Sequence, residues 1–591
     1  MIDPVTLEII RNRLDAITGL MQLTLLKSSV SVILKEGEDC SCGLFKPNGE
    51  LLSQACANPI HLGIMGPAVE TLLQKFPAAG MTEGDIYILN DPYNGGTHLP
   101  DIIMVAPIIA DGGVVAISAA LAHQEDIGGR SFGSMPADAT EIFHEGLIIP
   151  PSRLYRQGVR DETLVDILKS NVRLPEGFLG DIGAQIASVK VGIRSYKAMV
   201  AEFGRTTIDE ALDALFDQAE KLSRMGIEAI PDGEYGFEDF VDNDGIELDK
   251  QIRLAVKLTV RGNNVVADFS GSSPQVKGPA NVGYWGTYSA VIFAFRAICN
   301  PDIPTNAGMS RPIKMIVPKG NVLNPQWPAP VSLRAHTAKR VVDVLYGALA
   351  KAVPERAIAA SSGSLSVCSF GGAHESGELF GCSDIVAGGM GGRRGKDGID
   401  LLETDITNCM NIPAEALEAN YPLRVVRTRY RIDSGGAGTY RGGLGIDRAI
   451  QVVRGPIRCS YRSDRHLTQP WGIRGGRPGQ SWQTHILRAN GVREAVRSKA
   501  IFELGTGDTL EVLTGGGGGY GDPLERAPEM VLDDVLNGKV SKQSAEQDYS
   551  VALEPDDRSV DQATTDALRA KSRSQQGAIS WHVDRGGGVR E

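Results

Sequence analysis

The sequence predicts a large multidomain α+β protein with a mixed fold, in which helical and sheet segments do not alternate regularly. Its 591 residues exceed the roughly 250–300 residues that one hydrophobic core organises. A long stretch of helical periodicity opens the chain, and short strand patterns follow it. The 70 glycines are frequent in the last third, which favours tight turns and close backbone approaches there. These observations predict a helical start, a central α/β part and a glycine-rich β part.

The N-terminal part begins with a predicted helix that runs from residue 4 to about residue 34. Asp3 and Pro4 suit the N-cap and the first helical position. Apolar residues then recur every three or four positions, as on one face of a helix. A hairpin that turns at Asn48-Gly49 follows. Further strands are predicted at residues 86–89, 102–109 and 114–121.

The middle of the chain combines helices with a second sheet. Helical patterns cover residues 161–170 and 181–203. An alternating apolar pattern over residues 252–260 predicts a strand, and the following turn at residues 262–264 returns the chain into a second strand. A helix is predicted over residues 337–353, because its apolar residues lie on one stripe.

The last part of the chain is dense in glycine and short strands. Five consecutive glycines at residues 515–519 are interpreted as a flexible structural or subunit-contact loop, since no lysine follows them as in a phosphate-binding loop. A short helix over residues 528–537 leads into a polar, mobile tail from about residue 554. The patterns divide the chain into residues 1–230 with the histidine motif described below, 231–365 with the central sheet and helix, 366–525 with the glycine-rich strands, and 526–591 with the helical segment and tail.

Composition excludes several classes of partner. A formal net charge of −12 and a pI near 5.4 exclude nucleic acid and anionic membranes as the main partner, since both need clustered positive charge. There is no apolar run of about 18 residues and no signal-peptide pattern at the start. The eight cysteines are scattered, which favours reduced thiols in a cytoplasmic protein. A metal or redox role for Cys40 and Cys42 is the less favoured interpretation.

The histidine motif between residues 90 and 123 is the main candidate site. The chain has nine histidines; His98 precedes Asp101 by three positions on a glycine-rich loop, and His123 ends a strand pattern. Adjacent strands would bring both histidines to one sheet edge. Imidazole and carboxylate groups together suit a divalent metal such as zinc, manganese or iron. Asp39, at the end of the first helical region, is a further candidate ligand.

Other residues near this motif carry more than one interpretation. Glu125 and Asp126 either orient or deprotonate a catalytic water, or belong to a solvated turn. His61 has apolar neighbours in sequence and is interpreted as a satisfied core residue. A basic group near a predicted helix start either holds an anionic intermediate or forms structural salt bridges. This group consists of Arg334, His336 and Arg340.

Ordered motifs along the chain resemble the hydantoinase B family. The first reads Asn90-Asp91-Pro92-Tyr93, followed by Gly95-Gly96-Thr97-His98-Leu99-Pro100-Asp101. The resemblance extends over residues 3 to about 550, which is far more specific than one glycine motif. The further matching segments are residues 126–129, 133–136, 140–146, 149–151, 268–275, 340–343, 433–438 and 516–523. That family includes B-type subunits or domains of ATP-dependent hydantoinases, lactamases and 5-oxoprolinases, and resembles acetone and acetophenone carboxylase subunits.

The resemblance implies a metal site and a partner. His98, Asp101 and His123 match the family's ligands, and Asp39 matches an acidic residue that we carry as a fourth ligand. Many relatives have two adjacent histidines where this chain has His123 and Gln124, so a proton-transfer role for a second imidazole has no residue here. The resemblance implies that ATP and Mg bind a separate A-type subunit, and the absence of a Gly-x-x-x-x-Gly-Lys-Ser/Thr loop from this chain fits that implication.

Three functions follow as hypotheses. The leading one is the metal-containing subunit of a hetero-oligomeric, ATP-dependent hydrolase that opens a hydantoin or lactam ring after the partner phosphorylates it. The second is a subunit of an ATP-dependent ketone carboxylase of the acetone or acetophenone type. The third is a non-catalytic scaffold whose glycine loops dock a catalytic partner. The presence of the ligand residues favours the two enzymatic functions over the scaffold.

Overall fold

The structure is a computed structural model that describes residues 2–55, 57–575 and 583–586. Its helices and several sheets confirm the predicted α+β class. Within those ranges, no helix is long and apolar enough to cross a membrane. Seven cysteines are free thiols and Cys56 lies outside the described residues. Cys40 and Cys42 are core side chains, and burial raises the pKa of Cys42 to about 12.

The N-terminal region is built on a seven-stranded antiparallel sheet with the strand order β2-β1-β5-β4-β3-β6-β7. Its elements are α1 (Pro4–Ser28), α2 (Val32–Lys35), β1 (Cys40–Phe45), β2 (Leu51–Gln54), α3 (Met65–Lys75), β3 (Ile86–Leu89), β4 (Asp101–Ala110), β5 (Gly113–His123), β6 (Ser152–Arg156), β7 (Val159–Arg160), α4 (Glu162–Asn171), α5 (Pro175–Phe203) and α6 (Arg205–Glu228).

Both faces of this sheet are covered, because alternate side chains of its central strands point to opposite sides. On β4, Ile102 and Met104 join a core with α1 and α5. Ile103 and Val105 join a second core with α3 on the other face. The strand ends that carry the histidine motif therefore stand on a rigid, fully packed sheet.

The first helix is shorter than predicted. It ends at Ser28, and α2 forms a separate turn. The backbone N–H groups of Val30 and Ser31 donate to the Asp181 carboxylate on α5, at 2.8 and 3.2 Å. These long-range hydrogen bonds hold the connecting residues in an extended conformation that periodicity alone does not reveal.

The central region has a four-stranded sheet with the order β11-β10-β9-β8, in which only the β10–β11 pair is parallel. The helix α8 (Arg334–Ala352) is buried from His336 to Ala350. It begins at Arg334, before the predicted start at residue 337. The elements are β8 (Gly233–Val241), β9 (Ile252–Arg261), β10 (Asn264–Asp268), α7 (Tyr284–Cys299), β11 (Ile313–Ile316) and α8 (Arg334–Ala352).

The glycine-rich region contains two antiparallel sheets with the orders β13-β12-β16-β20 and β14-β15-β21-β18-β19. Its elements are β12 (Ser366–Ala373), β13 (Leu379–Val386), α9 (Ala414–Asn420), β14 (Leu423–Tyr430), β15 (Ile446–Val452), β16 (Ile457–Arg462), β17 (Gly472–Ile473), β18 (Gln483–Leu487), β19 (Arg493–Ala495), β20 (Lys499–Leu504) and β21 (Thr509–Leu513).

The five glycines at residues 515–519 form a buried, hydrogen-bonded segment, so the expectation of a flexible loop is wrong. Gly518 accepts a hydrogen bond from the N–H of Gly392 at 2.8 Å, and the N–H of Gly517 donates to Gly443 at 2.9 Å. A Cβ added at Gly517 would lie 2.0 Å from the carbonyl oxygen of Met390. Glycine is required here because neighbouring backbones occupy the space of any side chain.

The C-terminal region differs from the predicted mobile tail over residues 554–575, whereas residues 576–582 and 587–591 of that tail lie outside the described residues. A helix over Gln562–Gln575 packs back on the chain, with Thr565 fully buried. The N–H of Ala552 donates to the Thr565 hydroxyl at 3.0 Å. Polar composition suggested mobility, whereas a few specific contacts order this segment. The elements are α10 (Pro528–Leu536), α11 (Lys542–Tyr549), α12 (Gln562–Gln575) and β22 (Val583–Asp584), which pairs with β17.

Candidate metal centre

The predicted ligands meet at one edge of the N-terminal sheet. Asp101 begins β4 and lies directly opposite His123 at the end of β5. His98 comes from the loop that enters β4, and its carbonyl accepts a hydrogen bond from the N–H of Asp101 at 3.1 Å. The N–H of His123 donates to the carbonyl of Asp39 at 3.1 Å, which brings the segment before β1 to the same edge.

The side chains of His98, Asp101 and His123 form a buried cluster. His98 Nε2 and His123 Nδ1 each lie 3.1 Å from Asp101 Oδ1, and 3.1 Å from one another. Two ligand atoms at about 2.1 Å from a metal and roughly 90–109° apart are separated by about 3.0–3.4 Å. The observed spacing of the three atoms therefore fits a shared divalent cation.

The protonation states of the cluster also suit a metal. Burial holds the pKa of His98 well below its ordinary value, so its imidazole is neutral at pH 7. Burial alone would raise the pKa of Asp101, but the Arg334 guanidinium and hydrogen bonds from His123 and His98 hold it well below its ordinary value. Neutral imidazole and ionised carboxylate are the forms that bind zinc and related ions. The donor set of two nitrogens and a carboxylate is compatible with zinc, manganese or iron.

Asp39 lies at the rim of the cluster. Its Oδ2 is 3.8 Å from His123 Nδ1. Its Oδ1 accepts a hydrogen bond from the Asn58 side-chain amide at 2.9 Å. Asn58 therefore fixes the orientation of the carboxylate, which leaves Oδ2 on the side of the histidine. The role of Asp39 as a fourth ligand remains a prediction that this placement supports.

Asp101 is positioned by two groups that act on its other oxygen. Arg334, the first residue of α8, donates to Asp101 Oδ2 at 2.9 Å. The Thr97 hydroxyl donates to the same oxygen. With Oδ2 held in this way, Oδ1 is directed at the two imidazoles. Such outer hydrogen bonds orient the ligands of a metal and tune its affinity.

The surroundings of His61 show that its interpretation as a satisfied core histidine is wrong. Its ring is buried, and Nδ1 lies 2.8 Å from the Ser41 hydroxyl. Its Nε2 makes no hydrogen bond and lies 3.8 Å from Asp101 and 3.9 Å from Asp39. The apolar sequence neighbours of His61 correctly indicated burial, but they gave no sign that one ring nitrogen faces the ligand cluster.

The two acidic residues after His123 have different surroundings. Asp126 forms an ion pair with Arg173 at 2.8 Å and accepts two backbone hydrogen bonds at 3.0 Å. Both carboxylate oxygens of Glu125 are buried, and burial raises its pKa to about 8. Neither Glu125 nor Asp126 is among the described residues that line the cavity beside the cluster. Their predicted action on a water remains a prediction.

The basic group near the start of α8 separates into three different environments. Arg340 forms a buried salt bridge with Asp464 at 2.8 Å. Of the two predicted alternatives, it therefore has the structural role. Arg334 holds Asp101, and His336 lines the cavity beside the ligand cluster. Burial keeps the pKa of His336 well below its ordinary value. Sequence proximity alone did not separate these environments.

A sequence model of the family described as Hydantoinase B/oxoprolinase matches residues 3–523. The chain belongs to the hydantoinase B/oxoprolinase family. Within it, the chain is 34% identical over 586 residues to a putative D-/L-hydantoinase B-type subunit of a Pseudomonas species, covering 96% of this chain and 98% of that one. This relationship confirms the resemblance on which the ligand positions were predicted.

Two solved structures are similar to this hydantoinase B/oxoprolinase family protein. An ATP-dependent caprolactamase from Pseudomonas jessenii matches with a TM-score of 0.87 and 28% identity, over 96% of this chain and 100% of that chain. A nucleotide-free acetone carboxylase matches with a TM-score of 0.90 and 22% identity, over 98% of this chain and 84% of that chain. The second likeness shows the fold alone.

Proposed function

We propose that this chain is the metal-containing B-type subunit of an ATP-dependent cyclic-amide hydrolase that opens a hydantoin or lactam ring. The observation that carries the proposal is the buried cluster of His98, Asp101 and His123, whose ligand atoms lie within 4.8 Å of one another. Asp39, whose Oδ2 lies 3.8 Å from His123 Nδ1, would serve as the fourth ligand. The relatives described as a hydantoinase B-type subunit and an ATP-dependent caprolactamase support a reaction on a cyclic amide.

The reaction divides between two chains. An unstrained cyclic amide resists water because its resonance is lost in the tetrahedral state. An A-type partner that binds ATP and Mg would phosphorylate the amide oxygen, giving an imidate-like carbon with phosphate as its leaving group. The sequence of this chain carries no Gly-x-x-x-x-Gly-Lys-Ser/Thr loop for ATP, in keeping with that division. Activation and hydrolysis thus require a hetero-oligomer.

The residues of this chain prepare the hydrolytic site. When bound at His98, Asp101, His123 and Asp39, a divalent zinc, manganese or iron ion would lower the pKa of water toward about 7. Thr97 and Arg334 hold Asp101, and Asn58 holds Asp39. Glu125 and Asp126 are proposed to orient or deprotonate the water. We propose a cytoplasmic location for the complex, which the free thiols and the need for ATP support.

The test uses the chain co-purified with its A-type partner. Phosphate release from ATP is followed with a panel of hydantoins and lactams, and separately with a ketone plus bicarbonate. The proposal predicts amide-dependent ATP turnover with a ring-opened product and no need for bicarbonate. Turnover that requires both ketone and bicarbonate would instead make the chain a subunit of a ketone carboxylase. Absence of metal-dependent turnover with any of these substrates would favour a scaffold.

A further inference from the structure

A narrow cavity adjoins the ligand cluster and is lined by both cationic and oxygen-bearing side chains. The centre of a water molecule can occupy about 40 Å³ of this cavity, so the cavity has room for a few waters. His123 and Asp39 belong to its lining. The cationic side chains in the lining are Arg334 and Arg462, and its oxygen-bearing side chains include Asp39, Asn58 and Glu403.

Arg462 is a buried cation with neutral partners. It ends β16, and its side chain is 1% exposed. Its guanidinium donates to the carbonyl of Met135 and, at 2.8 Å, to the Ser369 hydroxyl. In the described part of the chain, no carboxylate lies within 4.0 Å of it. Burial lowers its pKa to about 10, so the group stays charged at neutral pH.

The other fully buried arginines show how unusual this is. Arg340, Arg441, Arg465 and Arg526 are buried to the same degree. Each lies within 3.1 Å of a carboxylate: Asp464, Asp400, Asp343 and Asp397 respectively. A charge removed from water requires a counter-charge to offset the lost hydration. Arg462 differs from these four because it faces a cavity, where a bound anion would supply that charge.

Arg334 adds a second positive charge to the lining of the same cavity. Its buried Nε has no hydrogen-bond partner in the described part of the chain, as is also true of the four paired arginines, while its other end holds Asp101 at 2.9 Å. Arg334 also begins α8, so the positive end of the dipole of a 19-residue helix faces the cavity. The buried charge of Arg462, which has no carboxylate partner among the described residues, and the start of α8 at the same cavity favour a negative ligand here.

We propose that Arg462, together with Arg334 and the start of α8, forms an oxyanion subsite that holds the phosphoryl group of the activated substrate beside the metal centre. This assignment of the anion to a phosphoryl group rests on the proposed function.

Binding of inorganic phosphate to the purified full chain tests the subsite without the partner or turnover. Isothermal titration is compared for the wild type, Arg462→Gln and Arg458→Gln at equal, measured metal content. Arg458 is the matched control, since it lies on the same strand with its side chain exposed. We expect Arg462→Gln to weaken phosphate binding roughly 10- to 100-fold, as loss of a charge-assisted hydrogen bond does, and Arg458→Gln to leave it unchanged.

Further arms of the experiment separate the alternatives. If Arg462→Gln does not fold, Arg462→Lys is used; it should fold and still weaken binding, because lysine lacks the planar fork of arginine. Acetate replaces phosphate in a parallel titration, and preference for acetate would assign the anion to a substrate carboxylate and overturn the phosphoryl assignment. Equal phosphate binding by the Arg462 and Arg458 variants, or none by the wild type, would overturn the subsite. If lactam hydrolysis is observed together with either of these phosphate-binding results, the proposed function still stands.

Discussion

The ligand cluster and the glycine-rich interior are both buried, yet they satisfy their polar groups in opposite ways. Around the cluster, His61 Nε2, His98 Nδ1 and Arg334 Nε make no hydrogen bonds. In the glycine-rich interior, the backbone of residues 515–519 is hydrogen-bonded to neighbouring strands and loops. Buried polar groups without partners are rare in folded proteins. The cluster therefore leaves side-chain nitrogens available to a ligand, whereas the backbone of the glycine segment is hydrogen-bonded within the chain.

This contrast predicts the largest effect for His98→Ala. Lactam- or hydantoin-dependent ATP turnover with the partner should fall by roughly 10³-fold or more, because the metal loses a ligand, while partner binding is retained and the melting temperature falls modestly, since the His98 ring is buried. Turnover assays, pull-down of the partner and thermal unfolding measure these properties. His374→Ala, outside the cluster, is the control and should retain activity. Full activity in a metal-depleted His98→Ala protein would contradict the metal mechanism.

Substitution in the glycine interior should have the reverse effect. Gly517→Ala places a Cβ 2.0 Å from the Met390 carbonyl oxygen, so the free energy of unfolding should fall by roughly 3 kcal/mol or more. Gly183→Ala is the matched control, because its helical site has no atom within 4 Å and alanine should stabilise it by about 0.5–1 kcal/mol. Chemical denaturation compares them. A stable Gly517→Ala protein would show that the interior is looser than described.

A smaller effect is expected for a residue that positions a metal ligand than for a residue that is itself a ligand. Thr97→Val removes the hydroxyl that donates to Asp101 at nearly constant volume, so metal affinity should fall by about 10- to 100-fold. Competition with a metal chelator measures this affinity. Thr24→Val, in the exposed part of α1, is the control. Unchanged affinity in Thr97→Val would mean that Arg334 alone positions the carboxylate.

The smallest effect concerns pH. Burial raises the pKa of Glu145 to about 8, above the ordinary value near 4.5, so its folded form binds a proton that the unfolded form has lost. Stability from this group is therefore present below pH 4.5 and is lost as the pH rises through about 8. The free energy of unfolding of Glu145→Gln, relative to that of the wild type, should increase by on the order of 1–3 kcal/mol from pH 5 to pH 9. Denaturation at both pH values checks this, and a pH-independent difference would contradict it.

The core of the site was predictable because it depends on neighbouring strands. The turn between β4 and β5 sets their register, and that register places Asp101 opposite His123. His61 was missed because its apolar flanks indicate only burial. Arg462 was missed because the residues it contacts and the cavity it lines come from distant parts of the chain. No local pattern reports such contacts.

The glycine interior shows the same limit for the fold. A run of glycines locally predicts flexibility, since each residue has wide conformational freedom. The segment is ordered because other glycines, among them Gly392 and Gly443, approach it closely and exchange hydrogen bonds with it. The hairpin at Asn48-Gly49, in contrast, was predicted correctly, because the turn is local and Gly49 has a φ of 96°.

The most direct test of the central claim is the position of a metal in the wild-type chain. Crystals of protein supplied with zinc, manganese or iron are measured by anomalous diffraction at the absorption edge of each ion, and metal content is determined by mass spectrometry. We expect one ion per chain, located between His98, Asp101 and His123 with Asp39 beside it. An ion bound elsewhere, or no ion bound after exposure to all three metals, would contradict the assignment of this cluster as a metal centre.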